Sequence, residues 1–543
     1  MISGKYIFSQ INEVFQRLLN RLNMVPYWDL ILSIITFIYI SYHHAWLSDD
    51  AFISFRVVDN FANGFGLRWN VVERVQVYTN PLLVLILLLP YILWKNIVAI
   101  SFISSFLFGV LSLVFLKKIS SSRFSFFIAV IYLFSSRAFI DYTYSGLENC
   151  LNHLIQAIFF FILWKAPAEP EKSRLPALTF WVSIGLVSRL DLILVLFIPY
   201  LVLFFLEFSK GLINWKTILR SALYGSPIII WFLFAGIYYG SFLPNTYYAK
   251  TNITETFLET ALQGWHYYER QQLWDPIAFL FFPIAILVGL FFKRFNKLAL
   301  LTLISLLPFF LYLISVGGDF MVGRFFTPAI FMFGLSLAKE FPFKKKEAIF
   351  LIILLFIYNI QFRLTPFHPM PKKISYYKEV RSFEAGMPYD IADEKGFYYL
   401  DTGLAFRKYP TSWLANLADK NNVFDVKESV VIQGMIGRSG YVYGPDYYIV
   451  DKFALADPLL ARLSGSGRIG HKKRKIPKGY IDGLKKGENG ILDPDLKQYY
   501  DGILKLTRGP IFTAERWNLF WKFQFGEYKK YTKEYIRAEG LLY

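Results

Sequence analysis

Two adjacent carboxylates, Asp49 and Asp50, follow Ser48 just after the first long apolar run of the chain. Neighbouring acids raise each other's pKa by repulsion unless a cation shares them. Such a pair can take a proton from a hydroxyl as a general base, bind a divalent ion, or do both. A solvated helix end is the alternative, since acidic residues are common near helix termini. The same segment carries Arg56, Arg68, Glu73 and Arg74, then Tyr78, Thr79, Asn80 and Pro81. The planar fork of arginine suits a phosphate, and three of them in one loop suggest an anionic ligand. Head-group anchoring is the competing reading for each.

Further along come Ser145-Gly146-Leu147-Glu148, Arg189-Leu190-Asp191, the stretch 244–250 with Asn245 and Lys250, and Gly317-Gly318-Asp319-Phe320-Met321. Singly these read as a cap, a turn and a loop. Together they put carboxylates, an amide and cations around one cavity on one membrane face. His43 and His44 precede the acidic pair and read as interfacial anchors rather than metal ligands. His153, inside an apolar run, reads as a hydrogen-bonded bundle residue. The basic run 468–478 around His471 could hold a phosphate or face lipid. The sequence has no Gly-rich phosphate loop, Ser-His-Asp order or paired-histidine metal motif.

The elements that must position these residues are membrane helices. Of 543 residues, 55% are hydrophobic, 18% are charged and 19% are aromatic, and the mean hydropathy is +0.38. That excludes a disordered or collagen-like chain and a set of ordinary soluble domains. Trp and Tyr in such numbers suit lipid-facing and interfacial positions. The single cysteine, Cys150, excludes an intramolecular disulfide and a cysteine-rich zinc site. The net charge of +18 is spread over short loops and the last third of the chain. Anionic head groups or a phosphate-bearing substrate account for it better than nucleic acid.

Runs able to cross a hydrocarbon core of about 30 Å need about 20 residues. They recur to about Gln361 and then stop, so residues 1–361 read as a transmembrane domain. Residues 362–543 read as a C-terminal soluble mixed α/β domain. Basic stretches at the N-terminus (Lys5, Arg17, Arg21) and at 117–123, 165–174, 210–220, 293–297 and 339–346 mark the cytoplasmic side. Joining them predicts eleven helices: 28–46, 97–116, 124–138, 147–164, 176–188, 191–208, 220–240, 276–292, 298–315, 324–339 and 347–361. An odd count places the N-terminus inside and the C-terminal domain outside. The proline-interrupted segment 81–94 fits an interfacial or re-entrant helix. The first helix reads as uncleaved.

The run Leu47-Ser48-Asp49-Asp50-Ala51-Phe52-Ile53-Ser54-Phe55-Arg56, with Asn63-Gly64-Phe65-Gly66-Leu67 and Tyr78-Thr79-Asn80-Pro81-Leu82, resembles the first outer loop (47–80) of GT-C glycosyltransferases. The resemblance is closest to mycobacterial terminal arabinofuranosyltransferases and their bacterial relatives. It continues through the Glu148, Arg189, Asn245 and Asp319 motifs and into Asp401-Thr402-Gly403, Asp451, Asp457-Pro458, Gly470-His471 and Arg508-Gly509-Pro510. Where Arg-Pro-Asp is expected, this chain has Arg189-Leu190-Asp191, keeping both charges.

The resemblance implies a GT-C polytopic helical membrane protein of the bacterial cytoplasmic membrane, its C-terminal domain periplasmic. It would transfer a sugar, arabinofuranose being one option, from a polyprenyl-phosphate donor to a glycan, glycolipid or protein acceptor. Asp50, with Asp49 second, would accept the proton of the attacking hydroxyl, while Arg56, Arg189, Lys250 and Arg324 would hold phosphate or sugar. Tyr78, Asn80, Glu148, Asp191, Asn245, Asp319 and His471 would line the cavity. A divalent cation at Asp49 and Asp50 is the one cofactor implied. With no second carboxylate placed as nucleophile, displacement would invert the anomeric carbon. A transporter or flippase is the rival, predicting internal repeats and midplane charges; the halves show no repeat.

Overall fold

The computed structural model describes residues 27–164, 172–291, 297–341, 343–362, 365–371, 389, 391–406, 429–467 and 469–538. Lys5, Arg17, Arg21, residues 165–171 and 293–296, and Arg468 lie outside them.

The chain is mostly helical. In order come α1 (Trp28–His44), α2 (Asp49–Ala62), α3 (Pro81–Trp94), α4 (Ile97–Ile119), α5 (Arg123–Ser135), α6 (Arg137–Thr143), α7 (Asn149–Trp164) and α8 (Leu175–Ser188). There follow α9 (Ile193–Ser209), α10 (Trp215–Tyr224), α11 (Ser226–Tyr239), α12 (Asn245–Thr251), α13 (Phe257–Trp274), α14 (Ile277–Phe291), α15 (Lys297–Ser315), α16 (Thr327–Lys339) and α17 (Lys345–Gln361). Each apolar run predicted to cross the membrane is helical over most of its length. Among the described residues, two segments, Ile97–Ile119 and Leu190–Ser209, are long and apolar enough to cross a membrane as single helices. Four bent pairs, including α1 with α2 at 94° and α10 with α11 at 44°, pass the same test together. Helix α3 turns Leu89 and Leu93 outward and packs on α2 and α4.

Beyond α17 lie α18 (Glu394–Thr402), β1 (Val430–Gln433), α19 (Gly437–Tyr443), β2 (Tyr448–Asp451), α20 (Tyr480–Lys486), α21 (Pro494–Arg508), α22 (Ala514–Gln524) and α23 (Lys529–Ala538). The strands pair in parallel, Val430 opposite Tyr448 through Gln433 opposite Asp451. A local core of Val450, Leu460, Tyr480, Leu496 and Tyr500 sits beneath them. The main core, however, runs without a break from Phe52 and Trp69 of the bundle side to Tyr399, Ile436 and Ile449.

Polar bonds reinforce that seam. Lys395 of α18 is buried and donates to His44 Nδ1 at 2.7 Å and to Asp141 Oδ1 at 2.5 Å, while Arg137 pairs with Asp393 at 2.8 Å. Buried charges persist only when paired in this way. His44 is therefore a buried hydrogen-bonding residue, not an interfacial anchor. His153 is packed between Phe139 and Phe331, each ring 4.9 Å away.

Candidate active site

Segment 47–80, expected as a loop, begins with a buried helix. Ser48 is extended and caps α2, its hydroxyl accepting the Asp50 N–H at 3.2 Å. Both acids thus fall in the first turn, where the helix dipole favours negative charge. Successive residues on an α-helix diverge by about 100°, so the two carboxylates point to different partners.

Asp49 accepts the N–H groups of Gly437 and Arg438, at 3.0 and 2.9 Å, and so docks the start of α19. A Cβ at residue 437 would overlap the Asp49 carbonyl, so only glycine permits this approach. Burial raises the Asp49 pKa and the Arg438 and Gly437 amides oppose it. Asp50 faces the other way, 3.2 Å from Arg324 Nη1.

Arg324 is the hub of the site. Its guanidinium lies 3.7 Å from both Glu148 Oε1 and Asp319 Oδ2. Glu148 also receives Arg189 Nη1 at 2.8 Å and Asn80 Nδ2 at 2.9 Å, and Ser54 holds the Asn80 oxygen at 3.0 Å. Glu148 is buried, and the charges of Arg189 and Arg324 compensate its carboxylate. Arg189 grips Asp191 with two bonds of 2.8 and 2.7 Å. Asp319 is raised by burial against the pull of Arg324 and Lys250. Gly146, with φ of +77°, makes the Glu148 position possible: a Cβ there would lie 2.8 Å from Leu47 Cδ2 and 2.9 Å from Ala51 Cβ.

Two cavities meet at this cluster. The larger, about 520 Å³, is lined by Arg189, Lys250, Asp319, Lys472 and Arg474 among apolar Leu190, Tyr247 and Phe257. The smaller, about 220 Å³, holds Asp49, Asp50, Glu394, Phe397, Tyr398 and His471. They share Phe453 and Leu455, and consecutive residues face opposite cavities: Asp319 and Lys472 the larger, Phe320 and His471 the smaller. His471 is met edge-on by Phe320 and Phe453 at 4.3 and 4.7 Å.

The larger cavity suits an anion with an apolar tail. Lys472 is committed to Glu255 at 2.6 Å, and Arg474 to backbone carbonyls. Lys250 makes no hydrogen bond or ion pair among the described residues. Its side chain is exposed within the cavity, and the protein packed around the cavity lowers its pKa by partial desolvation.

Other expected residues serve the frame. Arg56 is fully buried, not ligand-facing: it donates to the carbonyls of Trp69 (2.8 Å), Gly440 (2.7 Å) and Tyr447 (3.1 Å), and stacks on Trp69. Arg68 and Arg74 likewise donate to carbonyls. Tyr78 is buried against the Tyr239 hydroxyl at 2.8 Å. Asn245 donates to the carbonyls of Ala454, Leu455 and Asp457, fastening α12 to the C-terminal part.

A cation shared by Asp49 and Asp50 does not fit this geometry, because both Asp49 oxygens are held by amides and the Arg324 guanidinium occupies the point where three carboxylates converge. Among the described residues, no group of three His, Cys, Asp or Glu is placed to hold a metal ion.

The partners that sequence reasoning missed are Gly437, Glu394, Phe397, Tyr398 and Phe453. They lie hundreds of residues from Asp50 and carry no local signal; Lys472 and Arg474 fell within the flagged basic run.

No protein-family model matches the chain, and no curated protein matches it. Among solved structures it is similar to the Archaeoglobus fulgidus oligosaccharyltransferase in complex with Zn and sulfate, at 13% identity and a TM-score of 0.39, over 79% of this chain and 62% of that one. It is also similar to A. fulgidus AglB, an archaeal oligosaccharyltransferase in complex with an inhibitory peptide and a dolichol-phosphate. There the identity is 12% and the TM-score 0.40, over 79% and 65% of the two chains. The chain thus spans less than two thirds of these proteins' length.

Proposed function

We propose that the chain is a GT-C glycosyltransferase that moves a sugar from a polyprenyl phosphate to a hydroxyl acceptor at the outer face of the bacterial cytoplasmic membrane. The observation that carries this reading is the Asp50–Arg324 pair at the junction of a cation-lined cavity and a carboxylate-lined one. The donor phosphate lies in the larger cavity against Lys250, its lipid along Leu190, Tyr247 and Phe257. The acceptor enters the smaller one.

The acceptor oxygen attacks the anomeric carbon and its proton passes to the Asp50 carboxylate. The bond from carbon to phosphate oxygen breaks, and its electron pair leaves with the phosphate, whose charge Lys250 and Arg189 offset. Arg324, at 3.2 Å, orients Asp50. Glu148, saturated by two arginines and Asn80, is no nucleophile, so a single displacement inverts the anomeric centre. The positive charge at the carboxylate cluster comes from Arg324.

In this reading residues 1–361 cross the membrane eleven times from a cytoplasmic N-terminus, and residues 362–543 form the periplasmic part. Arabinofuranose is the first donor sugar to try; the acceptor is a glycan, glycolipid or protein. Purified protein given a panel of polyprenyl-phosphate sugars and acceptors tests the proposal, with the product's anomeric configuration read by NMR. Failure of every donor would instead favour a transporter or flippase.

A further inference from the structure

Helix α22 packs one face inward and leaves an aromatic stripe uncovered. Arg516, Leu519 and Phe520 are buried, whereas Trp521 and Phe525 are 47% and 76% exposed, and Phe512 just before the helix is 83% exposed. Trp517, Trp521 and Phe525 recur every four residues and so form one line along the helix. Trp521 and Phe525 stack with centroids 5.8 Å apart. Exposed tryptophan and phenylalanine are costly in water, and aromatic rings concentrate at membrane interfaces.

The position of α22 supplies the occupant. Arg516 donates to the carbonyls of Ile237 and Tyr238, at 2.8 and 3.2 Å, capping the end of α11. Phe520 meets Phe242 edge-on at 5.2 Å just beyond that end. About two to three turns back along α11, Ile229, Ile230 and Leu233 are exposed as a lipid-facing surface would be. The stripe therefore continues the apolar flank of α11 at its terminus. Lys522 of α22 and Lys529 and Lys530 at the start of α23 outnumber Glu515 and Glu527 in the same stretch, the sign that anionic head groups attract.

We infer that α22 seats the C-terminal part on the outer leaflet, with Phe512, Trp521 and Phe525 in the head-group and upper acyl region of an anionic phospholipid bilayer. The inference rests on the reading that α11 crosses the membrane. An interfacial helix of this kind fixes the height over the bilayer of α21, which packs on it, and of α23, which packs on α21.

The test uses the full-length protein in nanodiscs of zwitterionic and anionic phospholipid, with and without shallow doxyl-labelled lipid. Cys150 is buried, so an environment-sensitive thiol label reaches introduced cysteines, Phe525→Cys in one variant and Leu233→Cys in another. The label at 525 should be quenched by doxyl lipid and shielded from aqueous iodide. Quenching at 233 without quenching at 525 would overturn the seating of α22 while leaving α11 in the membrane. Quenching at neither would overturn both. Protection at 525 that disappears on dilution of the protein would assign the stripe to a second copy and equally overturn the proposal.

Discussion

Asp50 receives the Arg324 guanidinium at 3.2 Å across 274 residues of chain, whereas its neighbour Asp49 is turned to the amides of Gly437 and Arg438. The acidic pair is thus divided between two partners: one carboxylate pairs with Arg324 and the other docks α19. Asp50→Asn should lower sugar transfer by about 10²–10⁴-fold, the range of a lost general base, with thermal stability nearly unchanged. Asp49→Asn should instead lower the melting temperature and affect turnover less. Equal activity of Asp50→Asn and wild type would remove the base.

Arg324 stands among Asp50, Glu148 and Asp319. Arg324→Met leaves buried carboxylates uncompensated, and breaking a buried ion pair costs about 3–5 kcal/mol. The variant should melt earlier and recover stability when calcium or manganese is added. Wild-type transfer should survive chelation by EDTA. Loss of wild-type transfer in EDTA, restored by a divalent ion, would show that a metal enters the cluster.

Lys250 is the cation we assign to the donor phosphate. A charge-assisted hydrogen bond contributes about 1.5–3 kcal/mol, so Lys250→Met should raise the donor KM by roughly 10- to 150-fold. The acceptor KM should not move. An unchanged donor KM would place the phosphate elsewhere.

Arg56, by contrast, belongs to the frame. Its loss in Arg56→Met strands three carbonyls, each worth about 1–3 kcal/mol when buried and unpaired. Thermal denaturation should show a strong loss of stability, while the folded fraction retains its donor KM. A raised donor KM with normal stability would return Arg56 to the binding site.

The membrane helices were legible because apolar runs report directly on burial, and the adjacent acids Asp49 and Asp50 marked a polar site at the end of the first run, whereas the helix that Ser48 caps there was expected as a loop. Charged residues at the ends of apolar runs, such as Glu148, Arg189 and Asp319, were legible for the same reason: an ion near a hydrophobic boundary needs a partner. Which partner was not legible. Arg56, Arg74 and Arg324 look alike in sequence, yet the first two end on carbonyls and the third on three carboxylates. Gly437 meeting Asp49, Lys395 meeting His44, and the wall of Phe320, His471 and Phe453 between two cavities all join segments distant in the chain. Local hydrophobicity and helix capping act over a few residues and can be read one turn at a time. The pairing of buried charges is decided by which surfaces the packed core brings within 4 Å, and only the tertiary structure specifies that.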